Sequence, residues 1–112
     1  MKLDTRPLAD NAGMIVTVPG EHLDVSNSKT FREALQPILD ENTTVLLDLQ
    51  AVEFIDSSGL GSLLSSLRMM NAKDGDLRLF GMRKPVQAMF ELVRMHRLFA
   101  IYDNEEEACA TL

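Results

Sequence analysis

The chain has 112 residues, enough for a single domain over residues 1–112 with one hydrophobic core and too few for two such domains. Its 17 acidic and 11 basic residues give a net charge of −6, which argues against binding the phosphates of nucleic acid. No apolar run approaches the roughly 18 residues that cross a bilayer, and the N-terminus lacks the apolar stretch of a signal peptide, so we expect a cytoplasmic protein without membrane contact.

The first part of the chain predicts a hairpin and then a helix. The segment at residues 3–8 and a short apolar, partly β-branched segment at residues 14–18 flank a stretch whose composition is typical of a tight turn. Polar residues at 24–28 offer several N-caps for a helix that ends near Leu39, and Pro37 can kink or shorten that helix. Its predicted buried stripe consists of Phe31, Ala34, Leu35, Ile38 and Leu39.

Strands and helices alternate through the rest of the chain. Residues 45–49 form a nearly continuous apolar run, as expected of a central strand covered on both faces. A helix follows over residues 60–72, and its apolar face carries Leu60, Leu63, Leu64, Leu67 and Met70, with Ser62, Ser65, Ser66 and Arg68 on much of the other face. This alternation favours an α/β fold with a partly parallel sheet.

The last third of the chain continues the same pattern. We predict a strand at residues 77–80, a helix that begins at Pro85, a strand at residues 100–102 and a short closing helix over residues 105–112. The third helix is expected to point Val86, Met89, Phe90 and Val93 inward.

The predicted functional site is the segment over residues 54–61, Phe-Ile-Asp-Ser-Ser-Gly-Leu-Gly, where a buried strand meets a helix. In parallel sheets, sites collect where strands end and helices begin. Glycine inside a helix costs roughly 0.5 to 1 kcal/mol relative to alanine. We therefore expect Gly59 and Gly61 to allow close approach by a phosphate, a ligand or another protein's backbone.

Ser57 has two interpretations from the residues alone. It can be an N-cap whose hydroxyl accepts a backbone N–H of the helix. It can instead be a regulatory serine, because a phosphate placed here lies beside free backbone N–H groups at the positive end of the helix dipole. A partner that buries the turn would then have to desolvate a dianion next to Asp56.

Enzymatic interpretations find little support in the sequence. A nucleophilic serine needs a base, and the only histidines are His22, in a polar loop, and His96, near a helix end. Neither a phosphate-binding loop, a dinucleotide fingerprint nor a metal-ligand spacing is present, and Cys109 is expected to pack as a small apolar side chain. We expect no enzyme activity, no cofactor and no metal.

The segment over residues 45–61 resembles the core signature of STAS domains, and specifically that of bacterial anti-sigma factor antagonists. Residues 20–24 are similar to the family's Gly-Glu-Leu-Asp segment, although His22 is an insertion there. Residues 77–79 with residues 85–86 are similar to its later strand and helix start. The resemblance implies a STAS fold, in which a mixed, mostly parallel central sheet packs against helices.

The resemblance also implies a partner-switching function. The unphosphorylated protein is expected to bind an anti-sigma factor that is also a serine kinase of the histidine-kinase-like ATPase type, and so to release a sigma factor or another client. The kinase phosphorylates Ser57, which abolishes binding, and a PP2C-type phosphatase restores the serine. The chain is expected to be a monomer or a weak dimer.

The family motif maps the partner-binding surface onto seven residues of this chain. They are Asp24, Asp56, Ser57, Ser58, Gly59, Leu60 and Gly61. The role of Ser58 stays open. The alternative is a non-transcriptional STAS interaction module that regulates a transporter, a secretion system or a stress-sensing complex.

Overall fold

The computed structural model describes residues 1–112, apart from the side chain of Asn11. Along this described chain, seven strands and four helices follow one another. In order they are β1 (Asp4–Pro7), β2 (Met14–Thr17), β3 (His22–Leu23), α1 (Ser28–Glu41), β4 (Thr44–Asp48), β5 (Phe54–Ile55), α2 (Ser57–Ala72), β6 (Asp76–Phe80), α3 (Lys84–Leu92), β7 (Ala100–Tyr102) and α4 (Glu105–Cys109).

The strands form one large sheet and one small ladder. The large sheet has five strands in the order β1-β2-β4-β6-β7, in which β1 is antiparallel to β2 and the remaining pairs are parallel. Strands β3 and β5 pair only with each other, in parallel. The predicted hairpin and the predicted α/β fold with a mostly parallel sheet are confirmed.

The core lies on both faces of the large sheet. Val45 and Leu47 of β4 belong to the main cluster beneath α1, α2 and α3. Leu46, between them, points to the opposite face, where it packs with Phe80 and with Ala108 of α4. Strand β4 is therefore a central strand covered on both faces, as its apolar run predicts.

Helix α1 is longer than predicted and continues through Pro37 to Glu41. A proline removes one N–H and leaves the carbonyl four residues earlier without its helical partner. Both Pro37 and Glu33, which carries that carbonyl, lie on the exposed side of the helix, where a water molecule can donate a hydrogen bond to the carbonyl. Within the predicted stripe, Phe31, Leu35 and Leu39 are buried, and Ala34 and Ile38 are half-buried.

Helix α2 corrects the prediction that its serines face away from the core. Ser62 and Ser66 are buried, because α2 packs against both the sheet and α1, and its buried face is wider than the one that its leucines define. The Ser62 hydroxyl donates to the carbonyl of Gly59 at 2.7 Å, and the Ser66 hydroxyl donates to the carbonyl of Ser62 at 2.9 Å. A serine that satisfies its hydroxyl within its own helix can enter the core at little cost.

Three predictions near the C-terminus are also corrected. Val93 is exposed rather than inward, because α3 ends at Leu92 and the next residue but one, Arg94, turns the chain with φ near 60°. His96 consequently lies in a short 3-10 turn rather than at a helix end. The closing helix α4 ends at Cys109, before the predicted boundary.

Candidate functional site

The predicted switch serine lies at the first turn of α2. Asp56 is the N-cap residue, and its Oδ1 accepts a hydrogen bond from the backbone N–H of Gly59 at 2.9 Å. Ser57 is the first helical residue and is exposed, whereas Ser58 is half-buried. Because Asp56 occupies the cap, the interpretation of Ser57 as the N-cap is wrong, and Ser58 lies within the first turn of the helix.

The Asp56 carboxylate also ties α2 to the loop that precedes α1. Its second oxygen, Oδ2, accepts the backbone N–H of Val25 at 3.1 Å. The backbone N–H of Asp56 donates to the carbonyl of Leu23 at 3.3 Å, which continues the β3–β5 pairing. The structure therefore brings the Asp24 loop and the Ser57 turn together, as the predicted partner surface requires.

The loop over residues 24–27 is held by its own polar side chains. The Oδ1 of Asp24 accepts the backbone N–H of Ser26 at 2.9 Å and also the hydroxyl of Ser26. The side chain of Asn27 accepts the backbone N–H of Asp24 and donates to the carbonyl of His22, both at 2.9 Å. Asn27 thus occupies the N-cap position of α1, but its side chain braces the loop instead of capping the helix.

The electrostatics of Asp24 give a testable pH dependence. The Ser26 hydroxyl holds the pKa of the Asp24 carboxyl below its usual range, because it donates to the charged form. The bond therefore stabilises the loop above the ordinary carboxyl pKa, and this contribution is lost as the pH falls through the lowered value. In an NMR titration of the carboxyl carbon, Ser26→Ala should raise the Asp24 pKa part of the way to its usual value. Thr5→Ala, an exposed hydroxyl deletion on β1, should leave it unchanged, and an unmoved pKa in Ser26→Ala would contradict the assignment.

The two glycines of the turn have different surroundings. A Cβ on Gly59 would lie 2.1 Å from the carbonyl oxygen of Leu23, whereas a Cβ on Gly61 would meet nothing within 4 Å. The close approach at Gly59 is therefore to the chain's own backbone, which corrects its predicted role in admitting a partner. Leu60 likewise is a core residue at 3% exposure, so of these three residues only Gly61 is exposed.

The structure also adds residues that the sequence interpretation passed over. Val25 and Phe54 are large apolar side chains that are 76% and 55% exposed. His22 is not in a loop but pairs with Phe54 in the short ladder, and its Nε2 lies 3.4 Å from the Ser26 hydroxyl oxygen. No pattern in the sequence marked Phe54 as exposed, because β5 has only two residues and both are apolar.

The described residues include neither a cluster of metal ligands nor a helix that could span a membrane. Among them, no three His, Cys, Asp or Glu side chains are grouped as ligands for a metal ion. Within that same part of the chain, no helix combines the length and the apolar character needed to cross a bilayer.

The family model for the STAS domain matches residues 4–108 of this chain. The chain belongs to the STAS domain family. The predicted resemblance is therefore confirmed, and the match covers the Asp24 loop, the Ser57 turn, the first three helices and all but the last residue of α4 in this STAS domain.

Relatives of this STAS domain carry the name of a regulatory class. The anti-sigma F factor antagonist of Paenibacillus polymyxa is 33% identical over 103 residues, which is 88% of this chain and 86% of that protein. The anti-sigma-B factor antagonist of Staphylococcus aureus is 29% identical over 92 residues, which is 81% of this chain and 84% of that protein.

Solved structures agree with the fold of this STAS domain. The anti-sigma-factor antagonist (STAS) domain protein of Planctomyces limnophilus superimposes with a TM-score of 0.85 at 16% identity, over 96% of this chain and 95% of that one. The Bacillus cell fate determinant SpoIIAA in its phosphorylated form has a TM-score of 0.70 at 19% identity, over 97% of this chain and 96% of that one. The predicted STAS fold is confirmed.

Proposed function

We propose that this STAS domain is an anti-sigma factor antagonist that works by partner switching. The observation that carries the proposal is the exposed Ser57 on the first turn of α2, beside the Asp24 loop. In its unphosphorylated form the protein binds an anti-sigma factor and releases the sigma factor or other client that was held. The names of its relatives support this assignment, and the proposal implies a cytoplasmic location, because sigma factors act there with RNA polymerase.

Phosphorylation of Ser57 is the proposed off signal. The first N–H groups of a helix lack partners within the helix, and Asp56 takes only the one at Gly59. The remaining N–H groups and the helix dipole can accommodate a phosphate without unfolding the turn. A partner that had covered Ser57 would instead bury about −1.5 to −2 charges beside the Asp56 carboxylate.

The proposed enzymes are the partners and not this chain. The anti-sigma factor is proposed to be a serine kinase of the histidine-kinase-like ATPase type. The Ser57 oxygen attacks the γ-phosphorus of ATP, its proton passes to a base of the kinase, and ADP leaves as the bond to the γ-phosphorus breaks. A PP2C-type phosphatase then hydrolyses the phosphoserine and returns inorganic phosphate.

Mass spectrometry tests the site assignment. After incubation with the cognate kinase and ATP, we expect one phosphate on Ser57. Ser58→Ala, a matched deletion of the neighbouring hydroxyl, should still be phosphorylated, and Ser57→Ala should not. A phosphate on Ser58, or none on the wild-type chain, would show that the assignment is wrong.

The alternative function, a module of a transporter, secretion or stress-sensing complex, has a separate readout. A pull-down with wild-type protein and with Ser57→Asp should return an ATPase kinase with the first protein only. Recovery of membrane transport subunits without such a kinase would favour the alternative.

A further inference from the structure

Large apolar side chains that reach solvent are concentrated at two places in this protein, apart from its terminal residues. One group contains Leu92, Val93 and Leu98 near the end of α3, and the other contains Val25 and Phe54. The second group lies directly beside the Ser57 turn. Grouped exposed apolar side chains mark candidate protein-interaction sites, and phenylalanine is one of the residues enriched at interfaces.

Phe54 is held on the outer face of the β3–β5 ladder. His22 pairs with Phe54 and Leu23 pairs with Ile55 in parallel register. Leu23 and Ile55 are each 1% exposed and belong to the core. Since alternate residues of a strand point to opposite faces, His22 and Phe54 lie side by side toward solvent.

Val25 is fixed in position although its side chain is free. Its backbone N–H donates to Oδ2 of Asp56, the residue directly before Ser57, at 3.1 Å. The hydrogen bonds of Asp24 and Asn27 close the loop on either side of it. An apolar side chain on a braced loop loses little conformational entropy when a partner covers it.

We propose that Val25 and Phe54 form the apolar half of the docking surface for the anti-sigma factor, and that this partner offers an apolar recess for the Phe54 ring. The inference rests on the proposed function and extends it beyond the residues of the family motif. It commits to this partner because the Asp56 hydrogen bond makes Val25 continuous with the Ser57 turn. Ser57 supplies the regulation of the surface, and Val25 and Phe54 supply affinity.

Alanine variants with matched controls test the proposal. Val25 and Leu92 are both 76% exposed, and Phe54 and Leu98 are both 55% exposed. Leu92 and Leu98, near the end of α3, therefore serve as control residues of equal exposure. Affinity of the full chain for the cognate anti-sigma factor is measured by calorimetry. We expect Phe54→Ala to weaken binding at least about tenfold and Val25→Ala about threefold, with Leu92→Ala and Leu98→Ala within about twofold of wild type.

Three outcomes would overturn the proposal. Binding by Phe54→Ala and Val25→Ala within about twofold of wild type would show that the patch lies outside the interface. Equal losses in the Leu92 and Leu98 variants would show that the effect is not local. A wild-type dimer in ultracentrifugation that Phe54→Ala converts to a monomer would assign the patch to a second copy of this chain instead. Melting temperatures of all four variants establish that each is folded.

The same measurements separate this inference from the proposed function. If wild type binds the anti-sigma factor and Ser57→Asp does not, the proposed function holds whatever the Phe54 variant does. If wild type itself does not bind, the proposed function fails first.

Discussion

A Ser57→Asp protein should bind the anti-sigma factor roughly a thousandfold more weakly than the wild-type chain does. The new carboxylate would lie beside that of Asp56, which is fixed by its bonds to Gly59 and Val25 and cannot turn away without breaking them. Introducing an uncompensated charge into a buried interface costs about 3 to 5 kcal/mol, and about 4 kcal/mol corresponds to this loss. Calorimetry or surface plasmon resonance with the purified kinase measures it directly.

Two control variants make the Ser57→Asp result specific. Ser57→Ala removes the hydroxyl without adding charge and should bind within about twofold of wild type. Asn71→Asp adds one charge to an exposed position near the other end of α2, roughly 20 Å along the helix, and should also bind normally. Equal weakening by Ser57→Asp and Asn71→Asp would attribute the loss to net charge and would contradict a local switch.

A Gly59→Ala substitution should destabilise the fold by about 1 to 3 kcal/mol or more, which is the usual range for overpacking. Its Cβ would lie 2.1 Å from the Leu23 carbonyl oxygen and 2.7 Å from Cγ1 of Ile55. The first of these is backbone, so strand β3 must move for the methyl group to fit. Urea denaturation followed by circular dichroism gives the free energy of unfolding.

Gly61→Ala is the matched control for Gly59→Ala, because it makes the same change two residues later in the same helix. Its Cβ would enter open space. Alanine there should stabilise the protein by roughly 0.5 to 1 kcal/mol through its higher helix propensity. The two substitutions are therefore expected to have opposite signs. A destabilising Gly61→Ala, or a neutral Gly59→Ala, would show that the surroundings of these glycines are wrongly described.

The regular elements of the fold could be predicted because their apolar residues follow a single period. Helix α1 is an example, since Phe31, Leu35 and Leu39 of its periodic stripe are buried, whereas strand β4 was marked by a nearly continuous apolar run. The ladder of β3 and β5 could not be predicted in this way, because each strand has two residues and two residues carry no period. The polar character of residues 22–28 indicated only a loop with possible helix caps.

The place of Ser57 in the fold could be predicted, but the surroundings of some of its neighbours could not. A strand followed by Asp-Ser-Ser-Gly places Ser57 at a helix start, and the structure agrees. The reason for Gly59 depends on Leu23, which is distant in sequence, so no local pattern shows it. Ser62 and Ser66 look like surface residues in the sequence because they are polar, and they can be buried because their hydroxyls find acceptors inside their own helix.

The β3–β5 ladder separates residues that stabilise the fold from residues on its outer face, where we propose that the partner docks. The side chains of Leu23 and Ile55 are buried in the core, whereas those of His22 and Phe54 face solvent. Substitutions of these two exposed side chains are therefore expected to cost little stability. Duplicated copies of such a gene can diverge in the anti-sigma factor that they recognise while they keep one fold and one switch serine.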